Sequence, residues 1–275
     1  MRIANNISAL QSSAKLKKVS SALLNSSARL SSGVSISSSK DGPASLSIAN
    51  KIKNQLKGIE MANRNTLDGI SMIQTAEGAL STMHSIVKRM RELAVQSAND
   101  TNSLEEREKI QLEIDSLKEE LDSAAGKTEF NGIKLLKPVI SGDGSNILKV
   151  QAGQDSLMEM DIELERVDST TLGLSGLDYT SRAGSSSALD VCDNAISMLS
   201  EIRGKFGAYE NRLSMNSSNL GSFAENTQQT LSRIVDTDMA REMVSYSQNS
   251  IISQAATSIL SQANQRAQQI LQLLN

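Results

Sequence analysis

The C-terminal stretch, Ser247 to Asn275, reads as a helix with more apolar surface than one partner helix can cover. Ile252, Ala256, Ile259, Ala263, Ile270 and Leu273 recur at alternating four- and three-residue steps, the spacing of a coiled-coil seam, with Arg266 in the one polar slot. Ile251, Ala255, Leu260, Ala267, Leu271 and Leu274 widen that stripe. Arg266 is also the only charged residue between Ile251 and Asn275, so the helix has no charged face to turn to water. Ordering a terminal helix costs conformational entropy that only packing offsets, so alone it frays. The stretch demands several helical partners.

The N-terminus repeats the pattern. Ile3, Ile7, Leu10 and Ala14 form one stripe, and Leu16, Val19, Leu23 and Leu30 form a second, with Ser26 in the missing slot. The expectation is that the two ends pair as antiparallel helices and that other copies of the molecule bury their remaining apolar edges.

Composition agrees with helix-seam packing. Three Phe, three Tyr and no Trp are few for a large globular core, and two Pro, Pro43 and Pro138, leave most of the length open to long helices. The net charge of -3 conceals an asymmetry: residues 1–40 carry Arg2, Lys15, Lys17, Lys18, Arg29 and Lys40 and no acid. No aromatic is interleaved with these bases and no recognition motif accompanies them, so neither nucleic acid nor a membrane surface is the expected partner. No run of apolar residues is long enough to span a bilayer, and the first residues lack the apolar core of a signal peptide, so neither membrane insertion nor cleavable general export is expected. Cys192 is the only cysteine, which excludes an intrachain disulfide and is read as a small buried side chain.

In chain order, Ser31 to Ser39 is rich in small hydrogen-bonding residues and reads as a connector. Asp41-Gly42-Pro43 opens a helix over 44–99, about 80 Å at the α-helical rise. Ile73, Ala76, Leu80, Met83, Val87, Met90 and Ala94 hold its seam. Ser103 and Glu106 form a capping box for a second helix, 104–125, which stops at Gly126, expected as a left-handed cap. Asn131-Gly132 between Phe130 and Ile133 signals a β-hairpin, and Asn146 to Gln151 is a further strand candidate. Met158, Met160, Ile162 and Leu164 alternate with acids, as in a half-buried strand. Leu172 through Ser187 reads as loop. Helical spacing returns over 188–230 with Leu189, Cys192, Ile196, Leu199, Phe206, Leu213, Leu220 and Phe223 on one face, and Asp236 and Asp238 offer caps for the last helix. The expected fold is therefore mainly α: a long antiparallel coiled-coil helical rod with a small β region at 128–180. Its domains are a terminal coiled coil from 1–40 and 235–275 and a rod from 41–234.

The chain resembles bacterial flagellin at both ends. Arg89-Met90-Arg91-Glu92-Leu93-Ala94-Val95-Gln96-Ser97-Ala98-Asn99 is similar to the family's most recognisable N-terminal segment. Asn63-Arg64-Asn65, Asp68-Gly69-Ile70-Ser71 and Lys127-Thr128-Glu129-Phe130-Asn131-Gly132-Ile133 resemble further blocks, and Ser261-Gln262-Ala263-Asn264-Gln265 with Leu271-Gln272-Leu273-Leu274 resembles the closing sequence. The resemblance implies a structural subunit of the extracellular flagellar filament for swimming motility, a helical homopolymer whose terminal helices form an inner tube. It implies export, unfolded and uncleaved, through the flagellar channel, a dedicated export chaperone for the last helix, and contact with the filament cap and hook-associated junction proteins. The large variable domains that many flagellins insert mid-chain are missing here.

The seam residues Ile3, Ile7, Leu10, Leu23, Ile252, Ala256, Ile259, Ala263, Ile270 and Leu273 are thus the expected polymerisation surface. Gln248, Gln254, Gln262, Gln265, Gln268, Gln269 and Gln272 either line a channel or hydrogen-bond between neighbouring helices. The resemblance further implies that Arg89, Leu93, Gln96 and Glu113 match positions contacted by the animal hosts' flagellin-sensing Toll-like receptor; as ordinary rod charges, Arg89 and Glu113 would pair within or between subunits. Enzymatic, cofactor or metal chemistry is not expected, since His84 is the single histidine, read as an exposed helix residue, with no HExxH and no phosphate loop. The alternative reading is a hook–filament junction protein or another self-assembling secretion-system subunit.

Overall fold

The computed structural model describes residues 6–138, 146–155 and 157–274. Five helices and four short strands follow in the order α1 (Ile7–Ser32), α2 (Pro43–Ser97), α3 (Leu104–Lys127), β1 (Glu129–Phe130), β2 (Ile133–Lys134), β3 (Ile147–Gln151), β4 (Glu159–Glu163), α4 (Arg182–Val235) and α5 (Met239–Leu274). The chain divides into a terminal unit, Met1–Leu56 with Asn226–Asn275, and a central unit, Lys57–Glu225.

In the terminal unit α1 and α5 lie side by side and antiparallel. Asn6 caps α1 by accepting from the Ala9 N–H at 3.1 Å, and its Nδ2 donates to the Ala263 carbonyl at 3.0 Å. At the other end Gly33 takes the left-handed conformation, φ 72°, that stops α1. Its carbonyl accepts from the Thr237 N–H at 3.0 Å, while Val34 and Asp236 form an antiparallel bridge. Asp238 caps α5 through the Arg241 N–H at 3.1 Å. Pro43 takes the first helical position of α2, as expected. Asp41 turns back toward the connector: its Oδ2 accepts from the backbone and hydroxyls of Ser37 and Ser38. Ala49, Leu231 and Val235 form a small apolar cluster with Val34, Ile52 and Ile234 packed on it.

In the central unit one continuous core joins α2, α3, α4 and both sheets. All seven seam residues expected on α2, from Ile73 to Ala94, are buried. They meet Ile110, Ile114 and Leu121 of α3 and Cys192, Leu199, Phe206 and Leu213 of α4. The Ser103–Glu106 capping box is formed in both directions. In the first sheet β1 pairs antiparallel with β2, Glu129 opposite Lys134 and Phe130 opposite Ile133, around Asn131 (φ 50°) and Gly132 (φ 80°). Two consecutive positive φ values are what a two-residue hairpin twist requires, and Asn-Gly supplies them at least cost. In the second, β3 pairs antiparallel with β4 from Ile147 opposite Glu163 to Gln151 opposite Glu159. Met160, Ile162 and Leu164 are buried, but Met158, expected to face inward with them, is exposed.

Several boundaries differ from the sequence reading. Gly126 lies inside α3, which runs on to Lys127 and ends at Thr128 in extended conformation, so Gly126 is not a left-handed cap. The stretch 182–187, expected as loop, is the first turn and a half of α4. Ser181 Oγ accepts from the Gly184 N–H at 3.1 Å, Ser185 Oγ donates to Ser97 Oγ at 3.1 Å, and Arg182 pairs with Asp100 at 2.6 Å. Partners some 80 positions away decide this start. At its other end α4 continues past Thr230 to Val235, where Leu231 and Val235 enter the small terminal cluster.

Candidate functional site

The seam within the α1–α5 pair selects one of the two N-terminal stripes. Leu16, Val19 and Leu23 are half-buried, Ser26 is buried, and the register continues through Ser12 and Ala9. Opposite them on α5, Tyr246, Asn249, Ser253, Ala256, Leu260 and Ala263 are half-buried, again at alternating three- and four-residue steps. The first stripe faces elsewhere: Ile7 is 53 % and Leu10 73 % exposed, and Ala14 is exposed too. The cause is geometric. Leu16 follows Ala14 by two residues, a step of about 200° round a helix, so one partner cannot receive both stripes.

On α5 the expected register splits in the same way. Ala256 and Ala263 lie in the intramolecular seam, whereas Ile252 and Ile259 (55 % exposed) do not, and Ile251, Val244 and Met243 are exposed beside them. Ile3 lies outside the described residues, and the side chains of Ile270 and Leu273 are likewise not described. The pair therefore mixes Leu16, Val19, Leu23 and Leu260 with small and polar residues in its own seam, only half-buried apart from Ser26, and leaves a further set of bulky aliphatic side chains in water. Contiguous exposed apolar surface on helices marks an interaction site.

Around Arg89 the geometry is a charge latch. Its Nη2 lies 2.9 Å from Glu113 Oε1 on α3 and its Nη1 3.2 Å from Glu92 Oε2. Gln96 is exposed, but Leu93, grouped with these in the sequence reading, is 2 % exposed and belongs to the core.

Other polar groups of the central unit serve structure. Burial raises the Asp168 carboxyl, but bonds from the Thr170 and Thr171 hydroxyls, the Thr171 N–H and Arg166 outweigh it and hold the group far below the usual carboxylate range. Asp122 accepts from the backbone and hydroxyl of Ser169 at 2.8 and 2.7 Å. Burial pushes the thiol of Cys192 up, and the fully buried Tyr179 hydroxyl lies 4.0 Å from its sulfur. His84 is not the exposed residue expected: it is half-buried, its Nε2 has no hydrogen-bond partner, and burial followed by Lys88 and Arg203 lowers its basicity. Among the described residues no group of three or more His, Cys, Asp and Glu is placed to hold a metal, and no helix is long and apolar enough to cross a membrane.

Long terminal helices are shared with known proteins. Residues 3–140 match the bacterial flagellin N-terminal helical region and 189–274 the bacterial flagellin C-terminal helical region, together more than half of the chain. The chain belongs to the flagellin family. It is 40 % identical over 248 residues to a flagellin of Halalkalibacterium halodurans, covering 90 % of this chain and 89 % of the relative. It is 38 % identical to the Bacillus subtilis flagellin, covering 100 % of each, and 35 % identical to a flagellar filament core protein of Treponema maltophilum, again covering 100 % of each. Among solved structures, Bacillus cereus flagellin superimposes with a TM-score of 0.51 at 33 % identity, over 57 % of this chain and 88 % of that one. A flagellar hook-associated protein of Vibrio parahaemolyticus shares the fold, with a TM-score of 0.61 at 14 % identity over 71 % of this chain and 100 % of that one. This flagellin is a structural, self-associating subunit of the extracellular bacterial flagellar filament, in a family of structural proteins rather than enzymes.

Proposed function

We propose that this flagellin polymerises by burying the outward faces of α1 and α5, at Ile7, Leu10, Ile252 and Ile259, against sister subunits, that Ile3, Ile270 and Leu273, which belong to the same sequence stripes, take part in that contact, and that assembly stabilises the terminal helices. The observation that carries this is the aliphatic surface left over once the seam is filled: Leu10 and Ile259 stand in water although Leu16, Val19 and Leu23, with Ser12, Ser253 and Ala256, already occupy the intramolecular seam. Because these seam side chains are only half-buried, the isolated pair is weak, whereas docking of the outward faces contributes about 1.5–3 kcal/mol for each large aliphatic side chain fully buried. In the free subunit the α1–α5 pair opens readily; in the filament it is enclosed.

The same surface accounts for the rest of the life cycle we propose. Subunits leave the cell unfolded through the flagellar export channel, with α5 held by an export chaperone that covers its apolar side. They then add beneath the filament cap onto a filament joined to the hook by hook-associated proteins. Released subunits present Arg89, Gln96 and Glu113 to the host flagellin-sensing Toll-like receptor; Leu93 supports that surface from beneath. Electron microscopy and sedimentation of Ile259→Asp test the polymerisation reading. The monomer keeps its helical circular dichroism and forms no filaments, because an unpaired carboxylate at a buried interface costs several kcal/mol. Normal filaments from this variant refute the assignment.

A further inference from the structure

We infer that subunits also attach by opposite charge: the basic terminal unit of one copy docks on the acidic central unit of a second. This rests on the polymerisation reading above and adds its electrostatic partner. The terminal unit, residues 1–56 and 226–275, carries eleven Lys and Arg against four acids, Asp41, Asp236, Asp238 and Glu242, a net charge of +7. The remaining residues, 57–225, hold 17 Lys and Arg and 27 acids, a net charge of -10, so that the two units account for the whole chain's -3.

The distribution of ion pairs sharpens the contrast. Every ion pair among the described residues lies within the central unit. Lys15, Lys17 and Lys18 are exposed on α1, between the exposed Leu10 and Leu24, with no ion pair among the described residues. The central unit keeps acids to spare: Glu108, Glu119 and Glu120 on α3 are exposed and, among the described residues, likewise outside any ion pair.

Apolar contact alone would gather terminal units at +7 each, and like charges in close array repel. A second copy brings the compensating charge at fixed stoichiometry with every subunit added. The occupant is therefore another copy rather than a nucleic acid, for which residues 1–40 offer no aromatic to stack on a base. Charge complementarity acts mainly on encounter, so its signature is an association rate that falls with ionic strength.

The test is seeded elongation of the full chain, followed by light scattering, between about 50 and about 500 mM sodium chloride, a range over which charge screening tightens to within a few ångströms. The wild type elongates about tenfold slower at the high end, in line with the usual gain from electrostatic steering. K15E/K17E/K18E elongates at least about tenfold slower at low salt, again by the steering scale, and loses the salt dependence. K15Q/K17Q/K18Q falls between the two, and it carries the test if the reversal variant loses monomer helicity. Wild-type elongation that is flat or faster with salt, a reversal variant that elongates normally, or lysines that serve only to bind duplex DNA overturns the inference while polymerisation stands. A wild type that makes no filaments at any salt sinks the polymerisation reading and this inference with it.

Discussion

Replacing Leu10 with Ala separates the stability of the subunit from the stability of the filament. In the single chain Leu10 is 73 % exposed, and Leu and Ala are both good helix formers, so the substitution leaves monomer unfolding nearly unchanged. If assembly buries the exposed part of this side chain, the loss is that fraction of the about 1.5–3 kcal/mol carried by a fully buried leucine, or about 1–2 kcal/mol per subunit. That corresponds to about a 5- to 30-fold rise in the monomer concentration left in equilibrium with filaments. Sedimentation of assembled protein measures that concentration, and thermal unfolding by circular dichroism gives the monomer control. Leu80→Ala supplies the opposite pattern: its side chain is fully buried in the central core, so the monomer loses about 2–5 kcal/mol. A Leu10→Ala chain whose critical concentration stays within about twofold of wild type, well under the gain expected from burying that area, refutes the assignment of this face to assembly.

Further expectations concern the central unit. Gly132→Ala is strained by φ 80° although nothing lies within 4 Å of the added methyl, and urea titration reads a loss of about 1 kcal/mol. Ser103→Ala removes one side of the capping box of α3, and the same titration reads about 1 kcal/mol. Asp168 is depressed in the fold, so it binds its proton more weakly there than in the unfolded chain. Its stabilisation is complete above the unfolded pKa and is lost as the pH falls from about 4 toward the folded value; Asp168→Asn flattens that limb of the Tm–pH curve. His84 is likewise lowered, so the neutral form is the one the fold prefers: stability is intact above the ordinary value of 6.5 and declines as the pH drops through the folded pKa, and His84→Gln removes this component.

Much of the fold was legible because local physics decides it. The faultless seam from Ile73 to Ala94 needs only helical periodicity and an apolar partner, and the Asn131-Gly132 hairpin and the Ser103–Glu106 box are closed by residues within reach of one another. Errors fall where distant residues intervene. The start of α4 depends on Ser97, Asp100 and Tyr179, which no reading of 180–188 alone contains. Leu93 lies beside the exposed Arg89 in sequence, and only the packing of the central core shows that it is buried.

By itself the sequence determined that this chain is helical, that both of its ends carry more apolar surface than one partner buries, and that its positive charge is concentrated at the N-terminal end and its acids in the middle. Periodicity and composition are properties of the string itself. Only the tertiary structure decided which stripe is used at home: the antiparallel pairing of α1 with α5 gives its seam to Leu16, Val19, Leu23 and Ser26 and turns Ile7, Leu10 and Ile259 outward. Two stripes about 200° apart compete for one partner, and which of them wins depends on the register set between residues more than 200 positions apart, by Asn6 on Ala263 and Val34 beside Asp236.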